Sequence, residues 1–255
     1  MEKTETNHHG GRGVLLAIGG AEDKTRERRI LSRVVKEAGG KKGRIAILAT
    51  ASTLSETGER YSDLFDDLGI GEVDILPVST RDDAIAGGQD LAKRLDEATG
   101  LFLTGGGQLR AMVAFSGTPL AAAIRRRFAQ GMMVAGTSAG ASLLSEHMIA
   151  YGDGGSTPRQ RQVQLTKGLG LAPDAIIDQH FRRRDRLGRL LVAISYNSEP
   201  LGLGVDEDTA AIFLPDGTVE VLGSGVVTVV DAAGMRFSDS HHALPGRPLT
   251  LLGLK

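Results

Sequence analysis

A glycine-flanked serine at the end of an apolar run constrains this chain more than any other feature. Met132-Met133-Val134-Ala135 runs straight into Gly136-Thr137-Ser138-Ala139-Gly140, and a strand followed by Gly-x-Ser-x-Gly describes a sharp turn that presents a serine hydroxyl. Side chains beside the serine would clash in so tight a turn, and glycine tolerates its strained angles. The following Ala139-Gly140-Ala141-Ser142-Leu143-Leu144 predicts a helix whose N-terminal amides and dipole stabilise an oxyanion forming beside Ser138. Ser138 is the candidate nucleophile. The pentapeptide by itself describes a plain small-residue turn equally well, so its partners decide.

A serine hydroxyl needs a base, and the chain holds six histidines: His8, His9, His147, His180, His241 and His242. The first two fall in a polar N-terminal tail, residues 1–12, and His147 falls in the helix expected after the serine turn. His180 follows Ala175-Ile176-Ile177 in Asp178-Gln179-His180-Phe181, a strand end opening into a helix, where α/β sheets put their site residues. An orienting acid comes from Gly202-Leu203-Gly204-Val205-Asp206-Glu207-Asp208. Glu207 is taken from it, although the residues alone leave the choice among the three acids open. The order Ser138, His180, Glu207 is nucleophile, histidine, acid, whereas an α/β-hydrolase runs nucleophile, acid, histidine. That fold would need His241 or His242 as base, in a polar stretch with little core pattern around it.

Five blocks in order carry a resemblance: Ala17-Ile18-Gly19-Gly20-Ala21-Glu22-Asp23-Lys24, Leu103-Thr104-Gly105-Gly106-Gly107-Gln108, Gly136-Thr137-Ser138-Ala139-Gly140-Ala141, Asp178-Gln179-His180-Phe181 and Gly202-Leu203-Gly204-Val205-Asp206-Glu207. Over nearly its whole length the chain resembles the cyanophycinases, of the serine peptidase family that also contains aspartyl dipeptidase (dipeptidase E). The resemblance implies Ser138 as nucleophile, His180 as general base and acid and Glu207 as orienting carboxylate. It implies a mostly parallel sheet flanked by helices, akin to class I glutamine amidotransferase domains, and a homodimer. It also implies oxyanion donors at the Gly107 and Ala139 N–H groups, and substrate contacts at Gln108, Asp178, Gln179, Arg184, Arg186 and Arg189.

The rest of the sequence is compatible with that picture. At 255 residues and 41% hydrophobic content the chain can bury a substantial core and is read as one α/β domain over 13–255. Apolar strand-like segments alternate with amphipathic helical ones: 14–18, helix 23–38, 44–49, helix 57–68, 73–78, helix 89–98, 101–103, helices 108–115 and 119–130. After Gly202 the pattern changes to short segments at 210–214, 219–222 and 226–230, broken by turn residues, which predicts antiparallel hairpins. The Gly152 to Arg161 stretch reads as a loop bordering the site.

Thirty Lys and Arg against 31 Asp and Glu leave a formal charge of −1, so no global field recruits nucleic acid or an anionic membrane. The absence of cysteine excludes disulfides and thiolate metal sites. With no signal peptide or 18-residue apolar run, the cytoplasm is the expected location. Gly105-Gly106-Gly107 lacks the Gly-Lys-Ser/Thr continuation of a phosphate loop, and Gly19-Gly20 is too short for a dinucleotide fingerprint. No cofactor or metal is expected.

One further run stands out: Arg182-Arg183-Arg184-Asp185-Arg186-Leu187-Gly188-Arg189 holds five arginines in eight positions beside His180, within a helical pattern. Guanidinium fits carboxylate bidentately, which points to a carboxylate-rich substrate. Arg182, Arg183 and Asp185 receive no role. Cyanophycin, a polyaspartate bearing an arginine amide-linked to each β-carboxylate, suits such a site, with Asp178 or another acid pairing the substrate guanidinium. The alternatives are an aspartyl dipeptidase with the same triad and a non-catalytic anion-binding protein.

Overall fold

The computed structural model describes residues 11–242 and 244–253. Positions 1–10 of the expected tail, with His8 and His9, lie outside the described residues.

The strands and helices alternate as the periodicity predicts. In order they are β1 (Leu15–Ile18), α1 (Arg29–Glu37), β2 (Arg44–Leu48), α2 (Thr57–Asp67), β3 (Glu72–Ile75), α3 (Arg81–Ala86), α4 (Gly88–Glu97), β4 (Gly100–Leu103), α5 (Gln108–Phe115), α6 (Pro119–Ala129), β5 (Met133–Thr137), α7 (Ala139–Leu143), β6 (His147–Gly152), β7 (Val163–Lys167), β8 (Ala175–Gln179), α8 (Leu187–Tyr196), β9 (Leu201–Val205), β10 (Thr209–Phe213), β11 (Val219–Gly223) and β12 (Val227–Val230). A seven-stranded sheet runs β11-β10-β1-β5-β4-β2-β3. Its five strands from β1 to β3 are parallel, while β10 and β11 add the expected antiparallel hairpin at one edge.

Alternation along the strands explains why both faces are covered. Successive side chains point to opposite sides of a sheet, so Leu15 and Ala17 enter one core while Leu16 and Ile18 enter the other. The first core takes Phe115, Leu120, Ile124 and Phe128 from α5 and α6. The second takes Leu31 and Val34 from α1 and Tyr61 and Phe65 from α2. Tyr61 lies with its ring centroid 4.6 Å from that of Phe102 on β4, and Phe65 packs edge-on to the same ring at 5.0 Å.

Two expectations are corrected. The helix expected from residue 23 begins only at Arg29, because the Asp23 carboxylate accepts the backbone N–H groups of Thr25, Arg26, Glu27 and Arg28 and folds that stretch into a loop. The helix after the serine turn stops at Leu143, and His147 begins β6 rather than lying in that helix. The Leu143 and Leu144 carbonyls are taken by the N–H groups of Leu169, Leu171 and Ala172, and the Ser145 hydroxyl accepts the Ile177 N–H. Of the remaining strands, β8 and β9 do not join the main sheet. They run parallel to each other in a second sheet of order β12-β9-β8, with α8 packed on it through Leu190, Val192 and Ile194.

Candidate active site

The three triad candidates converge from the two sheets. Ser138 follows β5 with φ 54° and ψ −115°, a conformation costly for a residue with a Cβ. Gly136 makes the turn feasible, since a Cβ there would collide with the Gly140 carbonyl. The Ser138 Oγ lies 2.9 Å from His180 Nε2, and His180 Nδ1 lies 2.6 Å from Glu207 Oε1. The serine, the imidazole and the carboxylate therefore form one continuous hydrogen-bonded chain. The backbone secures it from behind: the N–H groups of Ser138, His180 and Asp208 donate to the successive carbonyls of Ile18 (2.9 Å), Gly19 (2.8 Å) and Gly20 (2.8 Å) at the end of β1.

The neighbouring acids have other partners. Asp206 binds the Arg182 guanidinium and the Arg182 and Val226 N–H groups, and Asp208 accepts the Asp23 N–H. Glu207 alone of the three reaches the imidazole. His241 and His242 stack on each other with ring centroids 4.1 Å apart and take no part in this chain of bonds.

His180 is 9% exposed. Burial holds its pKa below the ordinary 6.5, the hydrogen bond and charge of Glu207 oppose that, and the positive charges of Arg184 and Arg186 lower it further. The ring is consequently a neutral base at neutral pH. Arg184 is exposed, whereas Arg186 and Arg189 are buried at 8% and 4%.

The expected oxyanion donors divide. Ala139 opens α7, and among the described residues its N–H has no acceptor in the chain; the same holds for Gly105 and Gly106. The Gly107 N–H is committed to the Ala51 carbonyl at 2.8 Å. The Gly105 and Gly106 N–H groups, rather than that of Gly107, are the ones this turn leaves without an acceptor among the described residues.

The expected carboxylate clamps divide as well. Asp178, fully buried, receives the Arg189 Nε at 2.6 Å and also the Arg189 Nη2, while Arg189 Nη1 donates to the Gly152 carbonyl at 2.8 Å. That leaves Arg189 with its fork filled, so it is an internal clamp. Arg186 Nη1 donates to the Gln179 carbonyl at 2.5 Å and to Asp178 Oδ1 at 3.3 Å, and its Nε and Nη2 have no acceptor among the described residues. Burial lowers the Arg186 pKa to about 10, with Asp178 opposing and Arg189 and Arg184 reinforcing the shift, and the group stays cationic. Gln179 is 3% exposed and its Oε1 has no partner among the described residues. The Gln108 amide nitrogen donates to the Ile149 and Ala150 carbonyls. Arg182 to Asp185 form turns rather than a helix, tied down by the Arg184 N–H to His180 carbonyl bond and the Arg186 N–H to Phe181 carbonyl bond. The loop after Gly152 does border this region, through the Gly155 N–H to Asp185 carbonyl and Gly188 N–H to Gly155 carbonyl bonds.

A nucleophile elbow, a histidine and a carboxylate in this order define a serine peptidase centre, and comparison with known proteins agrees. The chain belongs to Peptidase family S51, which it matches over residues 14–222. It is 42% identical over 257 residues to the cyanophycinase of Synechococcus elongatus, an alignment covering 100% of this chain and 79% of that protein. The cyanophycinase of Trichormus variabilis is 41% identical over 244 residues, covering 95% and 81% of the two chains. Among solved structures, a peptidase from an acI-B1 Actinobacterium superposes with a TM-score of 0.66 at 23% identity, over 96% of this chain and 95% of the other. A putative peptidase E protein from Listeria monocytogenes EGD-e gives 0.59 at 15% identity, over 84% and 100%. These two share the fold.

Two consequences are measurable. Because the His180 pKa is lowered, the neutral base persists below pH 6.5, and the acid limb of kcat/KM lies below that of an ordinary imidazole. Arg184→Gln removes a charge that lowers it, so the limb moves to higher pH, and the shift diminishes as salt rises; a downward or absent shift at low salt contradicts the assignment. In urea unfolding, Arg189→Ala leaves the buried Asp178 with only the longer Arg186 contact and costs about 3 kcal/mol, whereas Arg184→Ala stays within about 0.5 kcal/mol.

Proposed function

We propose that this chain is a serine-type exopeptidase that hydrolyses cyanophycin to β-aspartyl-arginine dipeptides. The observation that carries the reading is the hydrogen-bonded line from Ser138 through His180 to Glu207, in a chain 40–42% identical to cyanophycinases. His180 Nε2 takes the Ser138 proton, and the oxygen attacks a backbone carbonyl of the polyaspartate. Glu207 holds the Nδ1 proton and stabilises the imidazolium that forms. The Ala139 N–H and the free N–H groups of the Gly105-Gly106 turn receive the developing oxyanion. His180 then protonates the leaving amine and an acyl-enzyme remains, after which a water, deprotonated by the same imidazole, attacks the ester and releases the product.

Substrate charge is met by what the internal pairing leaves over. The exposed Arg184 and the two unshared donors of Arg186 face carboxylate, which fits chain-end cleavage of an acidic backbone. Asp178 is occupied by two arginines and is not available to the substrate guanidinium. The Gln179 Oε1, buried and without a partner among the described residues, serves instead as an acceptor for a substrate N–H group, because a buried amide oxygen without a partner gains most from receiving one, and the half-buried Gln108 adds its amide oxygen.

The homodimer and the cytoplasmic location belong to the same reading. Among the described residues no helix is long and apolar enough to cross a membrane. Exposed Leu201, Val219, Val221 and Val229 rim an apolar cavity of about 330 Å³ at the β9, β11 and β12 edge, a face suited to a second copy of the chain.

Ser138→Ala lowers cyanophycin hydrolysis about 10⁴-fold or more while substrate binding persists. Turnover of cyanophycin should far exceed that of Asp-X dipeptides; the reverse preference identifies an aspartyl dipeptidase, and absence of serine acylation identifies a binding protein. Val221→Asp converts the protein to monomers in light scattering if the apolar face is the dimer contact.

A further inference from the structure

The Gly19-Gly20-Ala21-Glu22-Asp23-Lys24 block supplies none of the reacting groups, yet it touches the elements that do. Its first two carbonyls hold the backbone at His180 and Asp208. Gly20, at φ 93°, lies against the imidazole so closely that a Cβ there would fall 2.5 Å from the His180 ring. Within the same block Glu22 is 3% exposed. Its Oε2 accepts the Thr137 hydroxyl at 2.6 Å, and its Oε1 accepts the Tyr61 hydroxyl at 2.5 Å and the Lys24 ammonium at 2.9 Å. Thr137 is itself buried and immediately precedes Ser138.

We propose that Glu22, acting through the Thr137 hydroxyl, is a positioning residue that holds the elbow in its strained conformation and aims Ser138 Oγ at His180. The inference rests on the reading of Ser138 as the nucleophile. Ser138 sits at positive φ and persists there only if its surroundings over-determine it. The residue before it has two restraints: β5 is paired with β1 through Thr137 and Ile18, and the Thr137 side chain is bonded to a buried carboxylate. A charge-assisted bond in a water-poor interior is stronger than a neutral one, so Thr137 cannot turn to relax the strain that follows it.

Glu22 is held in turn from the opposite side. Burial pushes the Tyr61 pKa upward and the Glu22 charge pushes it further, so the phenol remains a donor. Tyr61 is wedged against Phe102 on β4, the strand beside β5. The line Phe102, Tyr61, Glu22, Thr137 therefore ties the nucleophile turn to the core under α2. Lys24, at the protein surface, balances the carboxylate charge.

The test measures acylation of Ser138 by phenylmethanesulfonyl fluoride, kcat and KM on cyanophycin, and thermal unfolding. The variants are Glu22→Gln, Thr137→Val, their combination and Thr137→Ser. Glu22→Gln and Thr137→Val should each lower the acylation rate and kcat by about tenfold or more with KM unchanged, and the double variant should be no worse than the poorer single one, because both remove the same bond. Thr137→Ser, which keeps the hydroxyl, should stay near the parent. Parental rates in folded Glu22→Gln, a loss confined to melting temperature, or losses that multiply in the double variant overturn the proposal. If Glu22→Gln does not fold, Thr137→Val decides by the same criteria. Failure of the nucleophile reading looks different, because then the parent protein itself is not acylated.

Discussion

Three consecutive carbonyls at the end of β1 are each bonded to a different arm of the triad, and the site depends on that arrangement. It follows from the place of β1 in the sheet. One neighbour is β5, which ends at the nucleophile turn, and the other is β10, which starts just after Glu207 and Asp208. The arms for serine and acid therefore reach the same strand end by ordinary sheet pairing. Only the histidine arm has to arrive from elsewhere, and the Gly19 carbonyl receives it. Carboxyl ends of strands in open α/β sheets form such crevices generally; here the crevice is also where the backbone of the reacting residues is pinned.

Pinning is needed because the site is strained. Ala21, Ser138, His180 and Asp208 all carry positive φ, four of the seven such non-glycine residues among those described. Each costs free energy that other contacts have to offset, on the order of 1–3 kcal/mol per residue. Their clustering within one hydrogen-bonded knot means the offset is shared, and the knot is relieved only if several bonds break together. The side-chain pairings serve the same end. Asp178 and Arg189 satisfy each other below the surface, so the polar floor of the site is rigid before any substrate arrives.

Much of this was legible in the sequence because it is local. The elbow needs small residues at fixed offsets, β1 to β5 need alternating or continuous apolar runs, and α5 and α6 need their helical period. Ser138, His180 and Glu207 could be named from chain order and resemblance, and the geometry brings them together. What escaped depends on partners far apart in the chain. Nothing near Gly107 announces that its N–H meets the Ala51 carbonyl, nor does an arginine-rich run reveal which guanidinium faces Asp178. The late start of α1 is nearer to legible, since Asp23 caps its own loop. Nothing in Glu22-Asp23-Lys24 announces a buried carboxylate; the partner that meets it, Tyr61, is delivered by α2.

The placement of β8 and β9 in a sheet of their own divides the chemistry in two. His180 follows the smaller sheet, Ser138 and Ala139 follow the main one, Glu207 sits in the link from β9 to β10 that joins them, and the 2.9 Å contact between serine and imidazole crosses the seam. The imidazole is thus mounted on one side and the hydroxyl it faces on the other. Because the His180 and Asp208 backbones are both bonded to the end of β1, the seam is latched on either side of that contact, and the imidazole can swing only about its own side-chain torsions while its backbone stays fixed to the sheet that carries the serine.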